Sequence, residues 1–164
     1  MKRLQQIKIG FVILLICGSS ILHAQKDAAF KMIKTITGDI VDFTTDNLGN
    51  LYLIGERQQI KKLNDQFDSV GLFNDVRRYG KLYSIDASNP LKILLYYREF
   101  ATIVILDRFL NVRNTIDLRQ SNIFQCRSIS QSFDNNIWLF DDLDYKIKKI
   151  DFLKIDCEGS EGYI

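Results

Sequence analysis

The chain has 164 residues, of which 46% are hydrophobic and 12% aromatic, with 22 lysines and arginines set against 20 aspartates and glutamates. This content of aromatic and aliphatic side chains excludes a disordered chain, and the length suits one domain with a sizeable core. The near balance of charge excludes a strongly basic or acidic surface over the whole molecule.

The first element in chain order reads as a leader. Lys2, Arg3 and Lys8 form a basic start, "IGFVILLIC" from Ile9 to Cys17 is apolar, and "GSSILHAQ" follows with Ala24 before Gln25. That order is the pattern of a secretory signal peptide, and the apolar run is shorter than the roughly 20 residues of a membrane-spanning helix. Cleavage after Ala24 and export to the periplasm or the exterior are expected. "LLIC" before "GSS" is similar to a bacterial lipobox at Cys17, but Ile16 stands where that pattern has a small residue, so lipid attachment is the less favoured outcome. Residues 1 to 24 hold three of the 22 basic residues and none of the acidic ones, so the remainder has a net charge of −1. No basic face is left for nucleic acid. The leader also holds His23, the single histidine. A mature chain without it has no Ser-His-Asp or Cys-His group and no imidazole for zinc or a redox metal; Asp141, Asp142 and Asp144 could gather calcium but lack the spaced glycine of a known loop motif, so no cofactor and no metal are expected. Cys126 and Cys157 remain, either paired in an exported protein or as two separate thiols.

From residue 40 the chain reads as strands. "DIVDFTTD" alternates, "DNLGN" supplies a turn in which Gly49 is free to take positive φ, and "LYLIG" is a short β-rich run. "QIKKLN" then places Ile60 and Leu63 inward around two solvated lysines, and "SVGLF" closes the unit. The unit recurs. Asn50-Leu51-Tyr52-Leu53 matches Asn136-Ile137-Trp138-Leu139 at a separation of 86, and between them Ile93-Leu94-Leu95 matches Leu51-Tyr52-Leu53 at a shift of 42. Three units with a period of about 43 residues, each of four short strands with turns between them, predict an all-β chain built of antiparallel β-propeller blades. The blades are expected at about 40–80, 81–125 and 126–150.

"DNLGNLYLIGERQQIKKLN", Asp46 to Asn64, resembles a blade of the NHL-repeat and related six-bladed propellers, with their Asp-x-x-Gly-Asn turn, tyrosine-bearing strand and Ile-x-x-hydrophobic-Asn strand. The resemblance covers residues 40 to 150 and is weakest in the second unit, where Pro90 and Leu91 replace the Gly-Asn turn. It implies a partial propeller, since propellers close with about four to eight blades. The favoured reading is three blades of a longer propeller. The alternative is an arc that self-associates through its open edges.

The tail departs from the repeat. "IDFLKIDCEGSE", Ile150 to Glu161, resembles the Asp-x-Glu-Gly segment of FkbM-type methyltransferases, which implies an enzyme that uses S-adenosylmethionine, with Glu158 at the motif glutamate. The glycine-rich turn of such a fold is missing, because no Gly-x-Gly precedes the motif in the mature chain. Residues 151 to 164 are therefore set apart as an atypical tail.

Candidate site residues come from the loops between the second and third strands of each unit, which the repeat places on one face. They are Arg57, then Tyr97 and Arg98, then Asp142 and Tyr145, accompanied by Glu56, Glu99, Asp141 and Asp144. Arginine and tyrosine in such loops suit contact with a protein or a glycan. The expected function is a non-catalytic binding or scaffold protein. The alternative is an enzyme fragment, either a calcium-dependent propeller hydrolase or the methyltransferase implied by the tail.

Overall fold

A computed structural model describes residues 30–151. The expected leader, the tail from residue 152 onward and Cys157 lie outside the described residues. Residues 30–36 belong to a separate unit and carry no regular secondary structure.

From Ile40 the described residues form eleven strands in three antiparallel sheets. The first sheet runs β1 (Ile40–Thr45), β2 (Leu51–Gly55), β3 (Ile60–Leu63) and β4 (Ser69–Phe73), each strand hydrogen-bonded to the next. The second repeats the order with β5 (Ser84–Asp86), β6 (Ile93–Tyr97), β7 (Thr102–Leu106) and β8 (Val112–Asp117). The third holds β9 (Cys126–Gln131), β10 (Ile137–Asp141) and β11 (Lys146–Ile150), three strands rather than four among the described residues. The second strands begin at Leu51, Ile93 and Ile137, steps of 42 and 44 residues, so the repeat in the sequence is a repeat of sheets.

Five of the hairpin turns, that at 55–59 included, share one geometry. At 46–50 the first residue's N–H donates to the fifth residue's carbonyl (Asp46 to Asn50, 3.1 Å), and the fourth residue's N–H donates back to the first carbonyl (Gly49 to Asp46, 3.3 Å). The same pair of bonds closes 64–68, 107–111 and 132–136. The fourth residue must take positive φ, and Gly49 does so at 80°. Phe67, Leu110 and Asn135 adopt the same left-handed conformation without being glycine. A side chain at the first position compensates: Asp46 and Asp107 each accept the N–H groups two and four residues on, at 2.8–2.9 Å. The turn at 87–92, with Pro90, closes differently, through Lys92 N–H to Asn89 O.

Side-chain alternation sorts the strands into two cores. Ile93, Leu95 and Tyr97 of β6 face the first sheet and join Tyr52, Ile54 and Ile60. Leu94 and Tyr96, the residues between them, face the third sheet and join Ile137, Leu139 and Cys126. The second sheet is thus covered on both sides, which is why "ILLYY" and "TIVIL" are unbroken apolar runs with every residue buried. The first and third sheets alternate buried with exposed because each has one such neighbour among the described residues.

Lys62 departs from the expectation of a solvated lysine. It shares the inward side of β3 with Ile60, is buried between the first two sheets, donates from Nζ to Arg108 O at 3.0 Å and stands 5.2 Å from the Tyr52 ring centroid. Three short helical segments also interrupt the strands among the described residues, one of them a 3-10 turn at Arg98–Phe100. Helix α1 (Val76–Tyr79) sets Tyr79 against Tyr97 at 5.2 Å, and a 3-10 turn at Leu118–Ser121 buries Leu118. Cys126 is a fully buried free thiol whose pKa burial pushes up to about 11.

Candidate binding face

In an antiparallel meander, successive connections alternate between the two ends of the sheet. The loops after β2, β6 and β10 therefore lie at the end from which each sheet passes to the next, through residues 74–83 and 118–125. Hydrogen bonds tie this end together: Leu82 N–H donates to Gln58 Oε1 at 3.0 Å, Leu118 N–H to Ala101 O at 2.9 Å and Asp142 N–H to Gln125 O at 2.8 Å.

Arg98 and Asp142 meet on this face although 44 residues separate them. The guanidinium of Arg98 lies 4.9 Å from the ring centroid of Tyr83, donates to its hydroxyl at 3.2 Å and donates to Asp142 Oδ2 at 3.3 Å. Arg127 Nη2 approaches Asp142 Oδ1 to 2.6 Å, an ionic contact without hydrogen-bond alignment. One carboxylate thus holds two arginines, and both arginine side chains keep substantial exposure. Beside Arg98 a cleft of about 410 Å³ is lined by Lys81, Leu82, Tyr83, Arg98 and Glu99. A guanidinium braced on an aromatic face retains planar donors suited to carboxylate or hydroxyl oxygens.

The other expected residues are placed differently. Tyr97 ends β6 and is 3% exposed in the core between the first two sheets, since its position in the strand turns it toward Tyr79 rather than the loop surface. Arg57 and Tyr145 are exposed in their loops, Tyr145 with φ of 56°, and among the described residues no hydrogen bond, ion pair or ring contact joins either to the Arg98 group. The neighbouring acids have separate partners. Asp141 is buried and accepts from Lys148 Nζ at 2.6 Å, and Asp144 lies 3.0 Å from the same ammonium. Burial works to raise the Asp141 pKa, but the bonds from Lys148 and the Leu143 N–H outweigh it and hold the carboxyl below its ordinary value.

Tyr83 and Arg127 escaped the loop-based reading. Both immediately precede equivalent first-strand residues, because Ser84 pairs with Tyr96 and Ser128 with Phe140. Carrying the 43-residue comparison back into the first strands would have revealed them.

Three consecutive antiparallel sheets, packed face to face and passing from fourth strand to first strand at one end, are blades of β-propeller type. No family model and no curated protein matches the chain. The solved structure of a streptogramin B lyase is similar in fold, with a TM-score of 0.51 and 15% sequence identity over 69% of this chain and 40% of that one. The chain spans less than half the length of the structure it matches.

Proposed function

We propose that the chain is an exported, non-catalytic binding or scaffold protein of propeller type, holding a protein or glycan partner on the face that carries Arg98 and Asp142. The observation that carries this reading is the Arg98 guanidinium, stacked on Tyr83 and anchored by Asp142 at the rim of a cleft. Pre-organised arginine on an aromatic support is a recurrent anchor in recognition surfaces. The similar structure is that of a lyase, and at 15% identity the likeness extends to the fold alone.

The reading is tested by comparing wild type with Arg98→Ala and Tyr83→Ala on a glycan array and in affinity capture of envelope proteins. A specific partner that both variants hold at least tenfold more weakly supports it. Equal retention by all three proteins removes this face from the function. Turnover of a lactone or a streptogramin by wild type, lost in Arg98→Ala, would instead favour the enzyme-fragment reading.

A further inference from the structure

The outer sides of the first and third sheets answer each other. Each sheet has a forward side, turned toward the next sheet in the chain, and a back side. Strand register places Tyr52, Leu94 and Trp138 in equivalent forward positions, paired with Lys62, Ile105 and Lys149 respectively. Tyr52 and Leu94 are fully buried against the sheet that follows. Trp138 is 41% exposed, and Ile147, equivalent to the buried Ile60 and Ile103, is 71% exposed. Lys149 stands 5.0 Å from the Trp138 ring centroid, reproducing Lys62 over Tyr52. The forward side of the third sheet thus has the composition and geometry of an inter-blade surface. At its centre Ser128, Ser130, Trp138, Phe140 and Ile147 line a depression of about 380 Å³.

The back side of the first sheet is the matching half. Leu51 and Leu53 occupy the positions that Ile93 and Leu95, and Ile137 and Leu139, fill in the two packed interfaces. In the same cross-strand row as Leu53, Phe43 and Leu72 are 64% and 65% exposed. Charge agrees with this pairing. Lys62 crosses its interface to the 107–111 turn of the second sheet, where it meets Arg108 O. The equivalent turn of the first sheet, 64–68, presents exposed Asp65 and Asp68 to a lysine arriving at Lys149's position, where within one copy the ammonium is paired with Asp134, so that the contact adds a second acidic neighbour.

We propose that a second copy of this chain covers the forward side of the third sheet with the back side of its own first sheet, and that two copies close a six-bladed ring. A head-to-tail contact of this kind either closes or grows without limit. With three sheets per copy among the described residues, two copies give the one multiple of three above a single copy within the four to eight blades of closed propellers. The inference rests on the sheet faces and is independent of the partner-binding face.

The test is the mass of the purified mature chain by light scattering from about 1 to 100 μM. Twice the monomer mass is expected, falling to the monomer mass in Trp138→Asp/Ile147→Asp while the circular dichroism of the strands is retained. Lys149→Glu should weaken association at least tenfold, and adding Asp65→Lys should restore it. A wild-type monomer at 100 μM, a dimer indifferent to both sets of substitutions, or masses that keep growing with concentration would each overturn the two-copy ring. Arg98→Ala, which lies on the loop face, should leave the dimer mass unchanged, so failure of the binding reading is read separately.

Discussion

Asp46 and Tyr52 are joined within the first sheet: the buried phenol donates to Asp46 Oδ2 at 3.0 Å, while Oδ1 accepts the N–H groups of Leu48 and Asn50 at 2.9 Å. The turn and the core are therefore secured by one carboxylate. Asp46→Ala should lower stability by about 2–3 kcal/mol, because it leaves a buried hydroxyl unpaired as well as opening the turn. Asp107→Ala, at the turn of like geometry between β7 and β8, where no buried phenol depends on the carboxylate, should cost about 1 kcal/mol. Urea midpoints compare the two. The hydrogen bonds overcome burial and hold the Asp46 carboxyl below its ordinary 3.8, so its contribution is complete above that pH and is lost as pH falls through the lowered value.

Alkali should act on the phenols. Burial is the first cause that raises the pKa of Tyr52, Tyr96 and Tyr97 above the ordinary 10. Above pH 10 the unfolded chain releases these protons and the folded chain retains them, so the stability present in full below pH 10 falls as pH rises beyond it. Thermal melts at pH 9 and pH 11 should show this loss, and Tyr97→Phe should reduce it.

Gly71 lies at a close approach of the first sheet to the second. A Cβ there would lie 3.2 Å from Leu110 Cδ1, and Leu110 is buried in the core that the two sheets share. Gly71→Val should cost about 1–3 kcal/mol by forcing the sheets apart, while retaining a cooperative transition by differential scanning calorimetry.

Two left-handed residues should respond in opposite directions to glycine. Tyr145 is exposed with φ of 56°, so Tyr145→Gly relieves backbone strain with little packing loss and should raise stability by up to about 1 kcal/mol. Leu110 has φ of 66° but is buried, and Leu110→Gly should lose about 2–4 kcal/mol because the cavity outweighs the relief. Chemical denaturation of the pair separates strain from packing.

The strands and their recurrence were legible because their signals are local. Turn chemistry at "DNLGN" and the runs "LYLIG" and "SVGLF" each lie within a few positions, and the recurrence shows when one such stretch is laid on another about 43 residues further on. What was not legible depends on which neighbour covers which side. Lys62 looks like a surface residue until the second sheet is placed against it, and Tyr97 looks like a loop residue until the extent of β6 is known. The pairing of Arg98 with Asp142 joins loops from two sheets, and no single unit contains both halves. The left-handed turns at Phe67 and Leu110 were equally silent, because their bonding pattern, rather than glycine, holds the conformation.

The doubly covered second sheet has a consequence for the order in which the molecule opens. Neighbouring sheets share burial only with each other, so cooperativity passes along the series as it does in stacked repeats. The amides of β6 and β7 should then be the slowest to exchange with deuterium, while those of the flanking sheets open first in smaller fluctuations. The middle of the chain should therefore be the last part to lose its structure as the molecule opens.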